Sequence, residues 1–153
     1  MLVTGSSRGI GAATARLLAA RGHPVAVNYV SDKAAAEAVV ESIRAAGGAA
    51  QAFRADVSNE ADVVAMFEDI DRALGHLHGL VNNAGVTGGF SRVDELAAGD
   101  LQAVFAVNVI GPFLCCREAV RRMSERHGGQ GGVIVNISSR AAAIGGGGEW
   151  VHY

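Results

Sequence analysis

The chain has 153 residues, of which 50% are hydrophobic and 18% are charged, and its formal net charge is −2. This composition can supply one hydrophobic core and argues against intrinsic disorder, while the slightly acidic charge disfavours a nucleic-acid-binding surface or a polybasic membrane anchor. No uninterrupted run reaches the roughly 18 apolar residues that a membrane-spanning helix needs, so we expect no membrane contact.

The first half of the chain alternates short apolar runs with helix-like segments. Strands are predicted at residues 2–4, 24–29 and 50–57. The first helix is expected to end at Gly22, and the second to begin with Ser31 as its N-cap. A third helix is indicated by apolar residues at helical spacing, which are Val63, Phe67, Ile70 and Leu74.

The second half continues the same alternation. Short buried strands are predicted within residues 78–85 and 131–139, and the residues from about 93 to 126 are expected to be mostly helical. The glycine-rich stretches 128–132 and 145–148 are expected to be surface loops. Continuous apolar strands that alternate with helices indicate a parallel sheet covered on both faces, so we predict an α/β fold with a doubly wound, Rossmann-like sheet.

Cysteine and histidine residues do not suggest a metal site. The only two cysteines, Cys115 and Cys116, are adjacent, and adjacent cysteines rarely form a disulfide. We therefore expect two small apolar residues of a helix, in a chain that resides in the reducing cytoplasm. The five histidines are not spaced as metal ligands, and those at positions 76 and 78 are expected to be exposed in a loop.

Small or polar residues follow four of the predicted strands. They form the segments TGSSRGIG, DV, NNAG and SS along the chain. Ligands of open parallel sheets bind beyond the carboxyl ends of the strands, so these segments predict a ligand site at one edge. In the first segment, Gly5, Gly9 and Gly11 permit positive φ and close backbone approach, and the helix that follows presents free N–H groups to a pyrophosphate. A flexible glycine turn without a ligand is the alternative.

These segments, together with NVIG and NISS and a final tyrosine, resemble the short-chain dehydrogenase/reductase family in the correct order over the whole chain. The T-G-x-x-x-G-x-G spacing is similar to that of the compact branch that includes 3-oxoacyl-carrier-protein reductases and glucose 1-dehydrogenases, and it disfavours sugar-nucleotide epimerases. The resemblance implies the strand order 3-2-1-4-5. It also implies an NAD(P)(H)-dependent oxidoreductase that interconverts a carbonyl and a secondary alcohol.

The resemblance implies three catalytic residues, which are Asn108, Ser139 and Tyr153. Tyr153 would protonate the substrate oxygen, Ser139 would hydrogen-bond that oxygen, and Asn108 would hold a water. Ser138 remains the rival of Ser139. Asn108 is flanked by apolar residues within a predicted helix, so we expect a buried amide with a backbone irregularity or a bound water. The family's lysine four residues after the tyrosine has no counterpart in the chain.

The resemblance also implies a set of residues that line the cofactor, drawn from the four strand ends and from the end of the second strand. These are Gly5, Ser7, Arg8, Gly9, Ile10, Gly11, Asn28, Tyr29, Asp56, Val57, Asn82, Ala84 and Gly85. Asp56 would accept from the adenine amino group, and an equally weighted alternative makes it a partner of the helix that begins near Ser58.

The preferred cofactor is predicted to be NADP, with NAD possible. The second strand ends in the neutral residues Asn28 and Tyr29, where an acidic residue would favour the ribose hydroxyls of NAD. Arg8 lies within the glycine loop, and a guanidinium suits a 2′-phosphate. The alternative is an exposed loop arginine without a ligand.

Residues 1–153 are expected to form a single NAD(P)-binding domain that is incomplete at its C-terminus and at its N-terminus, and that is inactive as given. The expected partners are a small carbonyl or alcohol substrate and further copies of the chain, in a dimer or tetramer formed through the helix at about 101–126. A non-catalytic NADP-binding module or inactive fragment is the alternative function.

Overall fold

The computed structural model describes residues 1–89 and 91–145, so the expectations for Tyr153 and for most of the second glycine-rich loop fall outside the described residues. The strands are β1 Leu2–Val3, β2 Val25–Tyr29, β3 Ala50–Arg54, β4 Gly79–Asn82 and β5 Val133–Asn136. The α-helices are α1 Gly9–Ala20, α2 Lys33–Ala45, α3 Glu60–Leu74, α4 Ala98–Phe105, α5 Gly111–Met123 and α6 Ala141–Ile144. A π-helical turn, Ala106–Ile110, joins α4 to α5, and a 3-10 turn, Glu125–His127, follows α5.

The five strands form one parallel sheet in the order β3-β2-β1-β4-β5, which confirms the predicted fold class and strand order. The short strand β1 is central, with Leu2 paired to Ala26 on one side and to Leu80 on the other. Strand order reverses between β1 and β4, and crevices at such a reversal are where parallel sheets bind their ligands.

Successive side chains of each strand point to opposite faces, and both faces are covered by helices. Leu2, Phe53 and Leu80 belong to the core on the side of α3 and α5. Val3 and Val27 belong to the core on the side of α1 and α2. Each face therefore buries its own apolar cluster, as the unbroken apolar strands predict. The prediction that β5 is buried was wrong: Val133 and Val135 are 49% and 43% exposed, because β5 is the edge strand of the described sheet.

Helix ends follow local capping chemistry, with one correction. Helix α1 is followed by Gly22, whose φ is +86°, as predicted. The N-cap of α2 is Asp32, whose Oδ1 accepts from the backbone N–H of Ala35 at 2.9 Å. The prediction of Ser31 was wrong by one residue, because the carboxylate of Asp32 is the group that reaches the free N–H of the first turn.

The continuous helical run Ala98–Met123 contains a window with a mean hydropathy of 1.5, which is enough, by length and composition, to cross a membrane. The prediction concerned an uninterrupted run of roughly 18 apolar residues, and this segment contains none, because polar residues such as Gln102 and Asn108 interrupt it. A window average tolerates those interruptions. A helix that covers the core of a soluble protein passes the same test. Here α5 packs against β4 and α3, and Cys115 and Ala119 are fully buried.

Candidate functional site

Two adjoining clefts open at the carboxyl edge of the sheet. The glycine-loop cleft, about 380 Å³, is lined by the loop after β1 and by the ends of β2 and β3. The β5 cleft, about 650 Å³, is lined by the ends of β4 and β5, the π-helical turn and the start of α5. Residues 83–86 line both clefts. The strand-end segments singled out in the sequence are therefore brought together at one edge.

The glycine loop is shaped by close backbone approach. Gly5 has φ +60°, and a Cβ added there would lie 2.8 Å from Cα of Ala84. A Cβ on Gly11 would lie 2.5 Å from Nδ2 of Asn83 and 2.6 Å from the backbone oxygen of Gly5. Gly9 has φ +56° and begins α1, which leaves the first N–H groups of that helix beside the loop. Side chains at Gly5 and Gly11 would therefore collide with residues of this loop and of the segment after β4.

Thr4 and Asn83, neither of which was a predicted site residue, join this loop to the segment after β4. Oγ1 of Thr4 accepts from the backbone N–H groups of Asn83 and Ala84, both at 3.0 Å. Nδ2 of Asn83 donates to the backbone oxygens of Thr4 at 2.9 Å and Gly5 at 3.0 Å. The segments TGSSRGIG and NNAG could be identified in the sequence, but the hydrogen bonds between them could not.

Asn28, at the end of β2, holds the glycine loop in place through hydrogen bonds. Its Oδ1 accepts from the backbone N–H of Gly5 at 2.9 Å, and its Nδ2 donates to the backbone oxygen of Ala55 at 3.0 Å. The side chain is fully buried although the residue lines the glycine-loop cleft. Tyr29 lines the same cleft and belongs to the core shared with α1 and α2. The carboxamide of Asn28 is thus already bonded within the protein.

Ser7 and Arg8 also line the glycine-loop cleft, and Arg8 is exposed. Ile10, the third non-glycine residue predicted here, is exposed and lines the β5 cleft instead. Its position on the first turn of α1 places it between the two clefts.

Asp56 and Val57 line the glycine-loop cleft as well. Oδ1 of Asp56 accepts from the backbone N–H of Ser58 at 2.9 Å and from its Oγ at 2.7 Å. Helix α3 then begins after its N-cap Asn59, whose Oδ1 accepts from the backbone N–H of Asp62 at 3.1 Å. One carboxylate oxygen of Asp56 therefore stabilises the turn that leads into α3, while the residue also borders the cleft. Both hypotheses for Asp56 stay open: contact with the adenine and stabilisation of the start of α3.

Asn108 lies in the π-helical turn, which is the backbone irregularity expected there. Its Nδ2 donates to the backbone oxygen of Val86 at 2.7 Å, and its Oδ1 accepts from the N–H of Val86 at 2.8 Å. The expected burial was wrong: Asn108 is exposed, because the neighbouring Val109 and Ile110 are themselves 41% and 51% exposed. The side chain of Asn108 therefore holds residues 83–86, which line both clefts, against the π-helical turn.

Asn82 and Asn136 face each other at the ends of β4 and β5 and line the β5 cleft. Nδ2 of Asn82 donates to Oδ1 of Asn136 at 2.9 Å and lies 3.3 Å from Sγ of Cys116. Ala84 and Gly85 line both clefts. Asn136 was not singled out in the sequence, and its position in the NISS segment was the only available signal.

Ser138 and Ser139 are exposed and line the β5 cleft with Asn108. Oγ of Ser139 accepts from the backbone N–H of Ala141 at 3.1 Å, at the start of α6. The cleft contains both serines, so the geometry does not choose between them. Two of the three predicted catalytic residues thus line one cleft, and the third, Tyr153, lies outside the described residues.

Known proteins share this architecture. The family model described as short chain dehydrogenase matches residues 1–153. The uncharacterized oxidoreductase YgfF of Escherichia coli is 52% identical over 99% of this chain, and the 3-oxoacyl-[acyl-carrier-protein] reductase FabG of Staphylococcus aureus is 41% identical over 97%. The solved structure of the promiscuous reductase LugOII, described as catalysing keto-reduction at C1 during lugdunomycin biosynthesis, matches 92% of this chain with a TM-score of 0.82 and 42% identity.

The chain spans 62% of YgfF, 58% of FabG and 56% of LugOII. Because the family model covers every residue and the fold agrees with that of a solved reductase, the chain belongs to the short-chain dehydrogenase family.

Proposed function

We propose that the protein is an oxidoreductase that interconverts a small carbonyl compound and a secondary alcohol with NADP(H). The observation that carries the proposal is the pair of adjoining clefts that share residues 83–86. One cleft is lined by Gly5, Ser7 and Arg8 of the glycine loop, and the other contains Asn108 and the two serines. A dinucleotide held in the first cleft would reach the polar groups of the second.

The residues of the glycine-loop cleft fit a dinucleotide. The backbone of the glycine loop, which packs closely on Asn83 and Ala84, and the free N–H groups at the start of α1 suit a pyrophosphate. Asp56 and Val57 border the opposite part of the cleft, where an adenine would lie. The bound dinucleotide would supply the hydride. The chain's own residues would bind and orient the dinucleotide and donate or accept the proton.

In the β5 cleft, Oγ–H of Ser139 would donate to the carbonyl oxygen, with Ser138 as its rival. Tyr153 would give its phenolic proton to the same oxygen as negative charge develops there. A free tyrosine has a pKa of about 10, so this role needs a nearby cation, which the family places on a lysine beyond the tyrosine. Asn108 would hold the wall of the cleft through Val86.

The preference for NADP rests on Arg8, which is exposed at the glycine-loop cleft. Asn28 and Tyr29 add no negative charge there. The carboxylate of Asp32 also lines the cleft, and its Oδ1 accepts from the backbone N–H of Ala35 in α2. The test is the ratio of the dissociation constants of NADP and NAD. Arg8→Ala should weaken NADP by about tenfold or more and change NAD little, as expected for loss of a charge-assisted phosphate contact. A preference for NAD that Arg8→Ala leaves unchanged would refute NADP.

Further copies of the chain are the proposed partners. Phe105, Ile110 and Phe113 are 55%, 51% and 74% exposed along α4, the π-helical turn and α5, which is a large apolar surface for a protein to leave in water. We place a dimer or tetramer contact on this helical run. Sedimentation that shows a monomer without dye-binding apolar surface would argue against it.

The experiment that tests the function is NADPH oxidation by the purified natural protein with a panel of small ketones, aldehydes and β-keto thioesters. Turnover should be abolished by Tyr153→Phe and strongly reduced by Ser139→Ala. Residues 1–153 alone should bind NADP weakly and turn over no carbonyl compound, because Asn108 and Ser139 are exposed to water and the tyrosine lacks its cation. NADP binding without turnover in the full-length protein would instead support a non-catalytic binding module.

A further inference from the structure

The β5 cleft has an apolar wall that is built from three separate segments. Val86 follows β4, Val109 lies in the π-helical turn and Ile137 follows β5. Their exposed fractions are 43%, 41% and 43%, and all three residues line this one cleft. Branched aliphatic side chains that stay accessible and converge on one cleft give it an apolar surface for a ligand.

Two of the carboxamides that line the β5 cleft are bonded within the protein. Asn108 is bonded to the backbone of the loop after β4 through both its nitrogen and its oxygen, and Nδ2 of Asn83 donates to two backbone oxygens of the segment TGSSRGIG. Ser138 and Ser139 are exposed in the same cleft. Their hydroxyls are therefore the polar groups that we assign to the carbonyl oxygen.

No charged side chain lines the β5 cleft in the part of the chain that the structure describes. Arg140 directly follows Ser139, but it is exposed and is not one of the lining residues. The glycine-loop cleft differs, because Arg8, Asp32 and Asp56 line it. A carboxylate or phosphate group of a substrate that entered the β5 cleft would lose water without gaining a cation from this wall, and such desolvation is costly.

We propose that the substrate is a neutral ketone whose larger substituent is apolar, and that Ala142 borders the position of that substituent. Ala142 lies on α6, three residues after Ser139, and it is exposed and lines the β5 cleft. The proposal rests on the proposed carbonyl–alcohol activity and narrows its substrate class. The aliphatic wall favours an apolar substituent, and the uncharged lining of the described cleft disfavours an anionic one.

The experiment measures kcat/KM of the full-length wild-type protein with NADPH for two pairs of ketones. The first pair, 4-acetylbenzamide and 4-acetylbenzoate, is matched in size and differs in charge. We expect the carboxylate to be reduced at least about tenfold less efficiently than the amide. The second pair, 2-octanone and 2-butanone, has the same reacting group, and the longer ketone should be favoured by at least about tenfold because it buries more apolar surface.

Ala142→Lys supplies a cation at the proposed position of the substituent. It should raise kcat/KM for the carboxylate relative to the amide by about three- to tenfold at low salt, and added NaCl should reduce this gain. Ala143→Lys is the matched control, because Ala143 is exposed on the same helix but is not one of the described residues that line the cleft. The control should leave the ratio within about twofold of wild type.

The comparison between variants uses the ratio for one pair of ketones, so their difference in intrinsic reactivity cancels. Circular dichroism and thermal unfolding show whether each variant is folded. Thr87→Lys introduces a cation from the loop after β4, and it replaces Ala142→Lys if that variant does not fold or reduces neither ketone.

The proposal is overturned if the wild type reduces the carboxylate as efficiently as the amide, or 2-butanone as efficiently as 2-octanone. It is also overturned if Ala142→Lys changes the ratio no more than Ala143→Lys does. A wild type that reduces none of these four ketones but another carbonyl compound overturns the substrate class and leaves the proposed function in place. A wild type that turns over no carbonyl compound and no alcohol overturns both.

Discussion

The carboxamide oxygen of Asn28 accepts a hydrogen bond from the backbone N–H of Gly5 at 2.9 Å, so the first glycine of the loop is held by the second strand. The same side chain donates to the backbone oxygen of Ala55 after the third strand. A single buried amide thus joins three neighbouring strand ends, and the shape of the glycine-loop cleft depends on it.

We expect Asn28→Leu to lower the free energy of unfolding by about 1–3 kcal/mol, because the half-buried backbone N–H of Gly5 and the buried backbone oxygen of Ala55 lose their partner. The affinity for NADP should fall together with the free energy of unfolding. Urea unfolding and cofactor titration measure the two effects. Arg8→Ala is the control: the residue is exposed, so its unfolding free energy should stay within about 0.5 kcal/mol of wild type. Loss of affinity in Asn28→Leu without loss of stability would instead indicate a direct contact with the cofactor.

Gly11→Ala should disrupt the glycine loop. The new methyl group would lie 2.5 Å from Nδ2 of Asn83 and 2.6 Å from the backbone oxygen of Gly5. We expect a loss of about 1–3 kcal/mol in unfolding free energy, the usual range for an overpacked site. NADP binding should weaken as the loop shifts. Gly99→Ala in α4 is the matched control, since no atom lies within 4 Å of its added Cβ, and it should stabilise the protein by up to about 1 kcal/mol. Equal stability of the two variants would contradict the close-approach argument.

Glu118 is a buried carboxylate on α5 that links three arginines. It accepts from Arg117 at 3.1 Å, Arg121 at 2.8 Å and Arg122 at 2.9 Å, and Arg122 also bonds Asp71 of α3 at 2.6 Å. Burial by itself raises the pKa of Glu118, but the hydrogen bonds from Arg122 and Arg117 and the charges of Arg121 and Arg122 outweigh it. The pKa therefore lies below its ordinary value of 4.5.

Because the folded pKa of Glu118 is lowered, its stabilisation should be fully present above pH 4.5 and lost as pH falls through the folded pKa. Glu118→Gln should cost about 1–3 kcal/mol of unfolding free energy at pH 7, the range for hydrogen bonds to charged groups. The difference in unfolding free energy between wild type and variant should narrow as pH falls below 4.5, because the unfolded state then takes up the proton first. Asp94→Asn, which breaks the exposed pair with Arg92, should cost less than about 1 kcal/mol at any pH. A difference in unfolding free energy that stays constant from pH 7 down to pH 3 would exclude the ionised carboxylate as its cause.

The Cys115 thiol should resist alkylation in the folded chain. Burial, with smaller effects from Cys116 and Glu118, raises the pKa of Cys115 to about 12, and only the thiolate reacts. Timed treatment with iodoacetamide at pH 8, followed by mass spectrometry, should label the half-buried Cys116 first and Cys115 only after unfolding. The Cys116→Ser variant should then take up no label while folded. Rapid labelling of Cys115 in that folded variant would show that α5 opens.

The fold could be predicted because its signals are local. Unbroken apolar strands, helical spacing such as that of Val63, Phe67 and Ile70, and a terminating glycine at position 22 each depend on neighbouring residues. The parallel sheet follows from their alternation, and the strand order from the resemblance of the motifs. The same local signals placed the N-cap of α2 one residue too early, because Ser31 and Asp32 are adjacent and both can accept from a first-turn N–H.

Sequence alone determined which residues stand at the carboxyl edge, since a residue that follows a parallel strand must emerge there. The tertiary structure decided which of those residues form hydrogen bonds with one another. Asn28 bonds Gly5, Asn82 bonds Asn136 and Asn108 bonds Val86, and each pair joins segments that are far apart in the chain. An asparagine can donate and accept in any environment, so its residue type does not specify its partner. The register of β4 and β5, the π-helical turn and the crossing of the loops bring the atoms within 3 Å of each other, and only the folded chain contains that information.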